Sequence, residues 1–245
     1  MERALDVLLC FTRQTPELTM TQIAEQVGMH KSTVHRLLAT LEEKRFVERD
    51  SATGAYRLGI HMFQMAYLTL EHNDLRRVAA PYLRRLSEQY RETINLSILD
   101  GADVVYLDVI ESPQRVKLAA ATGQRLPAFC TASGKAILAF SSDKVVQQVL
   151  DHGMPQYTNC TLDSSDKFFE NIRKIREQGF ALSLQEFEEG INAIAAPIMN
   201  HNNEPVASVA IAGPSYRLTL ERMLEIGDQI IATAHDIAIE AEMIK

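Results

Sequence analysis

The sequence predicts an α+β protein of two domains, a small winged helix-turn-helix followed by a larger domain built on a mixed antiparallel sheet. Three observations carry that expectation. The chain has 245 residues, more than the roughly 100–150 of a typical single domain. Residues 1–58 read in the order helix, helix, helix, hairpin. The rest alternates strand-like apolar runs with amphipathic segments, which bury their apolar sides by laying helices on a sheet.

Taken in order, Ala4, Leu5, Val7, Leu8 and Phe11 form an apolar stripe at helical spacing, ended by Thr15-Pro16. Thr21 is the expected N-cap of a second short helix, with Glu25 one position too late for a reciprocal capping box. Gly28-Met29 makes a tight turn, and a third helix covers residues 31–44. Phe46–Arg49 and Tyr56–Leu58 read as two strands of a hairpin, joined by the turn residues of Asp50–Ala55. Residues 59–73 form an apolar linker helix. Its Ile60, Met62, Phe63, Met65, Tyr67 and Leu68 exceed what a small domain can bury, so a second copy of the chain is expected, in a homodimer.

The larger domain spans residues 74–245. Asp74 caps a helix to about Arg91; strands follow at Thr93–Leu99, Val104–Ile110 and Val116–Ala121. A helix opens at Ser133-Gly134-Lys135, and others cover residues 143–152 and 165–178. Two apolar strands, Ala193–Met199 and Val206–Ala212, flank the polar turn His201–Glu204, and a helix from Leu218 to Ile244 closes the chain.

Composition narrows the function classes. Hydrophobic residues make up 46% and charged residues 23%, enough to fill real cores. The net charge of −7 is unevenly spread. Residues 1–58 hold eight basic and eight acidic side chains, whereas residues 92–245 hold twelve basic against twenty-one acidic. A neutral first domain is compatible with DNA, because the phosphate field is screened over ~8 Å. Three widely spaced cysteines without a Cys-x-x-Cys pair, and no apolar run long enough for a signal peptide or a span, point to a reduced, cytoplasmic protein. The seven histidines have no metal-ligand spacing, and no cofactor motif is present.

The third helix has the pattern of a DNA reader. Val34, Leu37, Leu38 and Leu41 make one apolar face at i, i+3, i+4, i+7. The other faces of its early turns carry Lys31, Ser32, Thr33, His35, Arg36 and Thr40, which can donate to phosphates and base edges. Arg49 and Arg57 of the hairpin can lie along the backbone as a wing. Double-stranded operator DNA is the expected partner. An amphipathic helix with a merely solvated face would show the same stripe; the ordered set of helix, turn, helix and hairpin favours DNA.

Thr21-Gln22-Ile23-Ala24-Glu25-Gln26-Val27-Gly28-Met29-His30-Lys31-Ser32-Thr33-Val34-His35-Arg36-Leu37-Leu38-Ala39-Thr40-Leu41-Glu42 closely resembles the helix-turn-helix of the IclR family of bacterial regulators. Tyr56-Arg57-Leu58-Gly59 matches the family's exit from the wing, and His30 stands where many members have proline. Leu126–Ala136 and Glu186–Pro197 resemble the two signatures of its effector domain. The resemblance implies a GAF-like second domain, a small-molecule effector, and a homodimer or homotetramer. Mapped by motif, it places the effector against Ala132, Ser133, Gly134, Ser183, Ala193, Ala210 and Ala212.

Read without the family, Thr131–Lys135 is a small-residue turn feeding a helix whose first amides favour an anion. Close packing of a capped helix accounts for the same residues equally well. The spacing is not that of a P-loop. Catalysis is not expected: Ser133 and Lys135 lie two residues apart, about 200° around the helix, and cannot pair as a dyad. At the facing positions of the mapped set, Ala193, Ala210 and Ala212 offer no hydrogen-bonding side chain, which favours an effector with one carboxylate on an apolar or aromatic body.

Overall fold

Thr19 sets the geometry of the first unit of the computed structural model, which describes residues 1–12, 14–71 and 74–242. The first unit is Met1–Asn73 and the second Asp74–Lys245. The first contains α1 (Glu2–Leu9), β1 (Glu17–Leu18), α2 (Met20–Gln26), α3 (Lys31–Glu43), β2 (Val47–Arg49), β3 (Tyr56–Leu58) and α4 (Ile60–Glu71). The N-cap of α2 is Thr19 and not Thr21, as the sequence had suggested. Its hydroxyl accepts from the Gln22 amide at 3.4 Å, and the Gln22 carbonyl oxygen accepts from the Thr19 amide at 2.8 Å. The reciprocal capping box is therefore present, with glutamine in the place where glutamate was sought.

Val7, Ile23, Val34, Leu38, Leu41, Val47 and Tyr56 form the core of this unit. Strand β3 is central in the order β1-β3-β2, and Leu18 pairs with Tyr56 across its outer edge. Two-residue β1 has no periodicity to read, so it was not anticipated. Gly59, just past the wing, packs so closely that a Cβ there would lie 2.3 Å from the Arg45 carbonyl oxygen. Helix α4, Ile60–Glu71, falls within the segment 59–73 expected as a linker helix; the last two positions of that segment, His72 and Asn73, and the side chain of Tyr67 lie outside the described residues.

The second unit contains α5 (Asp74–Tyr90), β4 (Thr93–Asp100), β5 (Asp103–Ile110), β6 (Arg125–Pro127), a 3-10 turn (Ala128–Cys130), α6 (Ala132–Phe140), α7 (Asp143–Asp151), α8 (Ser165–Gln178), β7 (Ala181–Leu184), β8 (Ile191–Met199), β9 (Pro205–Pro214) and α9 (Leu220–Glu242). The sheet order is β6-β5-β4-β9-β8-β7, with every pairing antiparallel. Strands alternate between two different faces. Ile94 and Leu96, Ile194, Ala196 and Ile198, and Val209 and Ile211 pack with α5 and α9. The opposite face carries Ala195 and Ala210 and packs with α6 and α8.

Val116–Ala121 is not a strand. The edge of β5 that it would need is occupied by β6, and the Tyr106 amide donates to the Gln124 carbonyl at 3.0 Å. The segment instead crosses as an extended loop whose Val116 carbonyl accepts from Arg217 at 2.8 Å. Arg217 is itself held bidentately by buried Glu92, at 2.7 and 2.8 Å. Asp74 is the first residue of α5 and pairs with Arg77 at 3.2 Å. The closing helix runs from Leu220, and the expected end at Ile244 lies outside the described residues.

The capping box makes a specific prediction. Thr19→Ala is expected to destabilise α2 by about 1 kcal/mol, read as faster hydrogen exchange of the amides at its N-terminal turn.

Candidate functional site

Helix α3 begins at His30, whose ring Nδ1 lies 2.8 Å from the Ser32 hydroxyl and accepts from the Ser32 amide at 3.4 Å. The histidine thus replaces the usual short N-cap side chain at the start of the helix. Val34, Leu38 and Leu41 are buried; Lys31, Ser32, His35, Arg36 and Thr40 are exposed, and Thr33 is half-buried. Thr33, Arg36 and Thr40 border a shallow groove shared with Glu2 and Arg3 of α1. The Thr40 hydroxyl turns back to the Arg36 carbonyl at 3.1 Å.

The two wing arginines are held differently. Arg57 faces the carboxylates of Glu48 at 3.4 Å and Glu17 at 4.0 Å. Arg49 lies over the Tyr56 ring, 5.7 Å from its centroid, and donates to the Gly54 carbonyl at 3.4 Å. Among the described residues, neither Lys31 nor Arg36 has an ion-pair partner. Two exposed bases without an ion-pair partner therefore stand on the first two turns of α3.

In the second unit, a cavity of about 70 Å³ opens between the sheet and the start of α6. Ala132, Ser133, Ser183, Ala193, Ala210 and Ala212 all line it. Register explains the convergence: Ser183 pairs with Ala193 and Ala193 with Ala212, one row across β7, β8 and β9. Ala210 pairs with Asn95 in the next row on the same face. Gly134 does not line the cavity. It packs on the 3-10 turn, where a Cβ would lie 2.2 Å from the Ala128 carbonyl oxygen.

The remaining wall comes from residues that the sequence reading missed: Asn95, Tyr106, Gln124, Thr131 and Glu188, with Leu118, Leu126, Phe187 and Ile191 as apolar surface. Asn95 was the detectable one. It alternates with Ile94 and Leu96, as Thr93 and Ser97 do, so alternation alone puts it on the face opposite to theirs. Thr131 caps α6 by accepting from the Gly134 amide at 3.2 Å. The amides of Ala132 and Ser133 precede that of Lys135, the first to find an intrahelical acceptor, the Thr131 carbonyl at 3.0 Å. No cationic side chain lines the cavity, and Glu188, at its exposed side, is the one acid there among the described residues.

Comparison with known proteins places this architecture. The family described as bacterial transcriptional regulator IclR C-terminal matches residues 67–239. The IclR helix-turn-helix domain matches residues 1–51. The chain belongs to the IclR family. It is 30% identical over 242 residues to the transcriptional repressor IclR of Escherichia coli K12, covering 98% of this chain and 88% of that protein. It is 31% identical over 231 residues to the transcriptional regulator XynR of the same organism, covering 94% and 92%. A solved transcriptional regulator from Rhodococcus sp. RHA1 superposes with a TM-score of 0.86 at 29% identity, covering 100% of this chain and 98% of that one. This IclR-family chain is accordingly a transcriptional regulator that joins a DNA-binding helix-turn-helix to an effector-binding domain.

The two IclR effector-domain signatures meet in space through a contact that the sequence did not reveal. Lys135, fully buried on α6, forms an ion pair with Glu186 in the loop after β7. Burial pushes the lysine ammonium below its ordinary range and the glutamate above its own, each opposed by the attraction of the other. The Glu186 carbonyl also accepts from the Thr161 hydroxyl at 2.6 Å, which fixes the loop from its other side. Cys130 is buried beside the pair, and burial, with the charge of Glu186, raises its thiol to about 12. At neutral pH it is a protonated core side chain and not a nucleophile.

Removing one partner of such a pair strands the other charge. Lys135→Met is expected to destabilise the second unit by about 3–5 kcal/mol. The double variant with Glu186→Leu is expected to recover most of that loss, measured by urea unfolding of both proteins.

Proposed function

We propose that this regulator binds operator DNA through the early turns of α3 and that a small carboxylic acid in the second unit's cavity changes its affinity for DNA. Lys31, Ser32, Thr33, His35, Arg36 and Thr40 are the proposed contacts on α3, with Arg49 and Arg57 on the wing. The observation that carries the reading is the exposed, ion-pair-free Arg36 opposite the buried Val34, Leu38 and Leu41. An arginine so placed can reach guanine with two hydrogen bonds. Arg57, flanked by two carboxylates, is assigned to the phosphate backbone and contributes less.

The proposed effector lies against Ala132, Ser133, Ser183, Ala193, Ala210 and Ala212, with Gly134 permitting the approach of α6 to the 3-10 turn. The cavity wall is largely apolar with a few convergent polar groups, the composition of a small-ligand site. One carboxylate on an apolar or aromatic body matches the open amides of the α6 N-terminus and the apolar wall. The protein acts in the cytoplasm as a binding regulator and not as an enzyme. Residues 59–73 are proposed to connect the two domains, 1–58 and 74–245.

The reading includes self-association. Ile60 and Phe63 of α4 expose 41% and 66% of their surface, an unusual density of apolar area on one short helix. Pairing of α4 with its copy buries it and doubles the DNA site. Light scattering is expected to give a dimer or larger at micromolar concentration, and Phe63→Glu to shift it toward monomer.

Mobility shift with an operator fragment at several salt concentrations tests the DNA contacts. Arg36→Ala is expected to weaken specific binding by ~1–3 kcal/mol with an unchanged melting temperature. Unchanged affinity with a lowered melting temperature would make Arg36 structural and sink the assignment.

A further inference from the structure

Behind the mapped contacts, the cavity holds two buried polar side chains with hydrogen-bonding capacity left over. Asn95 is 1% exposed and Tyr106 is 5% exposed, and both line the cavity. Asn95 Oδ1 accepts from the Ser97 hydroxyl at 2.9 Å and from the Ser133 hydroxyl at 3.1 Å. Those two donors orient the amide, so its Nδ2 points away from them and makes no hydrogen bond among the described residues. The Tyr106 hydroxyl likewise has no partner among them. Neither atom is among the buried unsatisfied ones, so both keep open surface. Since each residue is otherwise enclosed, that open surface is the cavity.

A guest that covers such donors without accepting from them leaves each one buried and unpaired, at a cost of about 1–3 kcal/mol. Two donors left open in one cavity, next to the free amides of a helix N-terminus, are the arrangement that an acceptor-rich guest completes. We propose that Asn95 and Tyr106 are ligand-binding residues that hold the carboxylate of the effector, with the Ala132 and Ser133 amides on its other side. The inference rests on the effector reading above and adds to it the two side chains that select the ligand's head group.

Donors and acceptors balance in that complex. Asn95 Nδ2 and the Tyr106 hydroxyl each donate to a carboxylate oxygen, and the α6 amides supply further donors. Burial, together with the charge of Glu188, holds the Tyr106 phenol above its ordinary range, so it stays protonated and able to donate. With no lysine or arginine in the wall, this head-group site works through neutral donors and the helix field alone. Glu188 at the exposed side opposes a second negative charge. The ligand class is therefore a monocarboxylate, its apolar part directed toward Leu118, Leu126, Phe187 and Ile191.

Calorimetric titration of the full chain with benzoate, phenylacetate and hexanoate tests the proposal in wild type, Tyr106→Phe, Asn95→Asp and Ala212→Phe. Tyr106→Phe removes one atom that makes no protein hydrogen bond, so the unliganded melting temperature is expected to stay the same. Its affinity for the acid that binds wild type is expected to fall about tenfold, the loss of one hydrogen bond to a charged group. Asn95→Asp keeps both hydroxyl contacts but sets a carboxylate against the ligand, and binding is expected to be lost. If Ala212→Phe blocks binding while Tyr106→Phe and Asn95→Asp retain wild-type affinity, the assignment of these donors is overturned and the effector reading stands. If wild type binds none of the three acids, both are overturned.

Discussion

The buried ion pair between Lys135 and Glu186 is the constraint around which the second unit is organised. Taking two charges out of water costs several kcal/mol per ion, and a pair of apolar side chains would serve stability as well. The pair supplies direction instead. It fixes helix α6 at its fourth residue to the loop that follows β7. Three and two residues earlier on α6 are Ala132 and Ser133, and next to Glu186 are Phe187 and Glu188; all four border the cavity. One buried contact thus sets the distance between two walls. The threonine hydroxyls behind the loop, Thr158 donating to the Gln185 carbonyl and Thr161 to that of Glu186, both at 2.6 Å, keep the glutamate from following the lysine elsewhere.

That constraint works because the sheet beneath it is asymmetric. On the α5 and α9 side, its strands carry isoleucine, leucine and valine, which fill the space to the helices. On the α6 side, the same strands carry Asn95, Ser97, Ala193, Ala195, Ser208, Ala210 and Ala212. Among these small side chains, Ala195 and Ala210 belong to the core that packs with α6, and Ala193, Ala210 and Ala212 line the cavity. Gly134 serves a different contact, backbone to backbone with the 3-10 turn at Ala128. Packing and cavity are thus two results of small side chains on one face of the sheet.

The sequence was most legible where a periodic signal coincided with burial. Helix α3 announced itself through Val34, Leu38 and Leu41, and the long strands β4, β5, β8 and β9 through apolar runs ended by turns. Legibility failed where the decisive interaction was local or long-range. The cap of α2 depends on whether Thr19 or Thr21 turns its hydroxyl inward, a choice that spacing alone does not fix. Val116–Ala121 has the composition of a strand but loses the edge of β5 to a competitor later in the chain. Lys135 and Glu186 are fifty-one residues apart, and nothing in either neighbourhood indicates the other. The six mapped cavity residues came from family motifs, whereas Tyr106 is a strand residue whose function depends on what lies across from it.

Electrostatics separates the two units as clearly as the fold does. The first is neutral in sum, and three of its acids are committed near the wing: Glu48 and Glu17 face Arg57, and Asp50 accepts from the Ala52 and Thr53 amides at 2.9 and 2.7 Å. Those backbone hydrogen bonds hold the Asp50 carboxyl below its ordinary range. Lys31 and Arg36 have no ion-pair partner among the described residues, and Lys31 stands at the helix end whose dipole also attracts anions. A balanced count of charges therefore leaves exposed, unpaired bases on the early turns of α3. The second unit inverts the scheme. It is acidic overall, and no cationic side chain lines its cavity among the described residues, so in the proposed complex a negative group is held by oriented neutral donors and not by countercharge. Neutral donors bind an anion without the desolvation cost of a buried lysine. They also leave the empty cavity tolerable, which a regulator that must exist in both liganded and unliganded states requires.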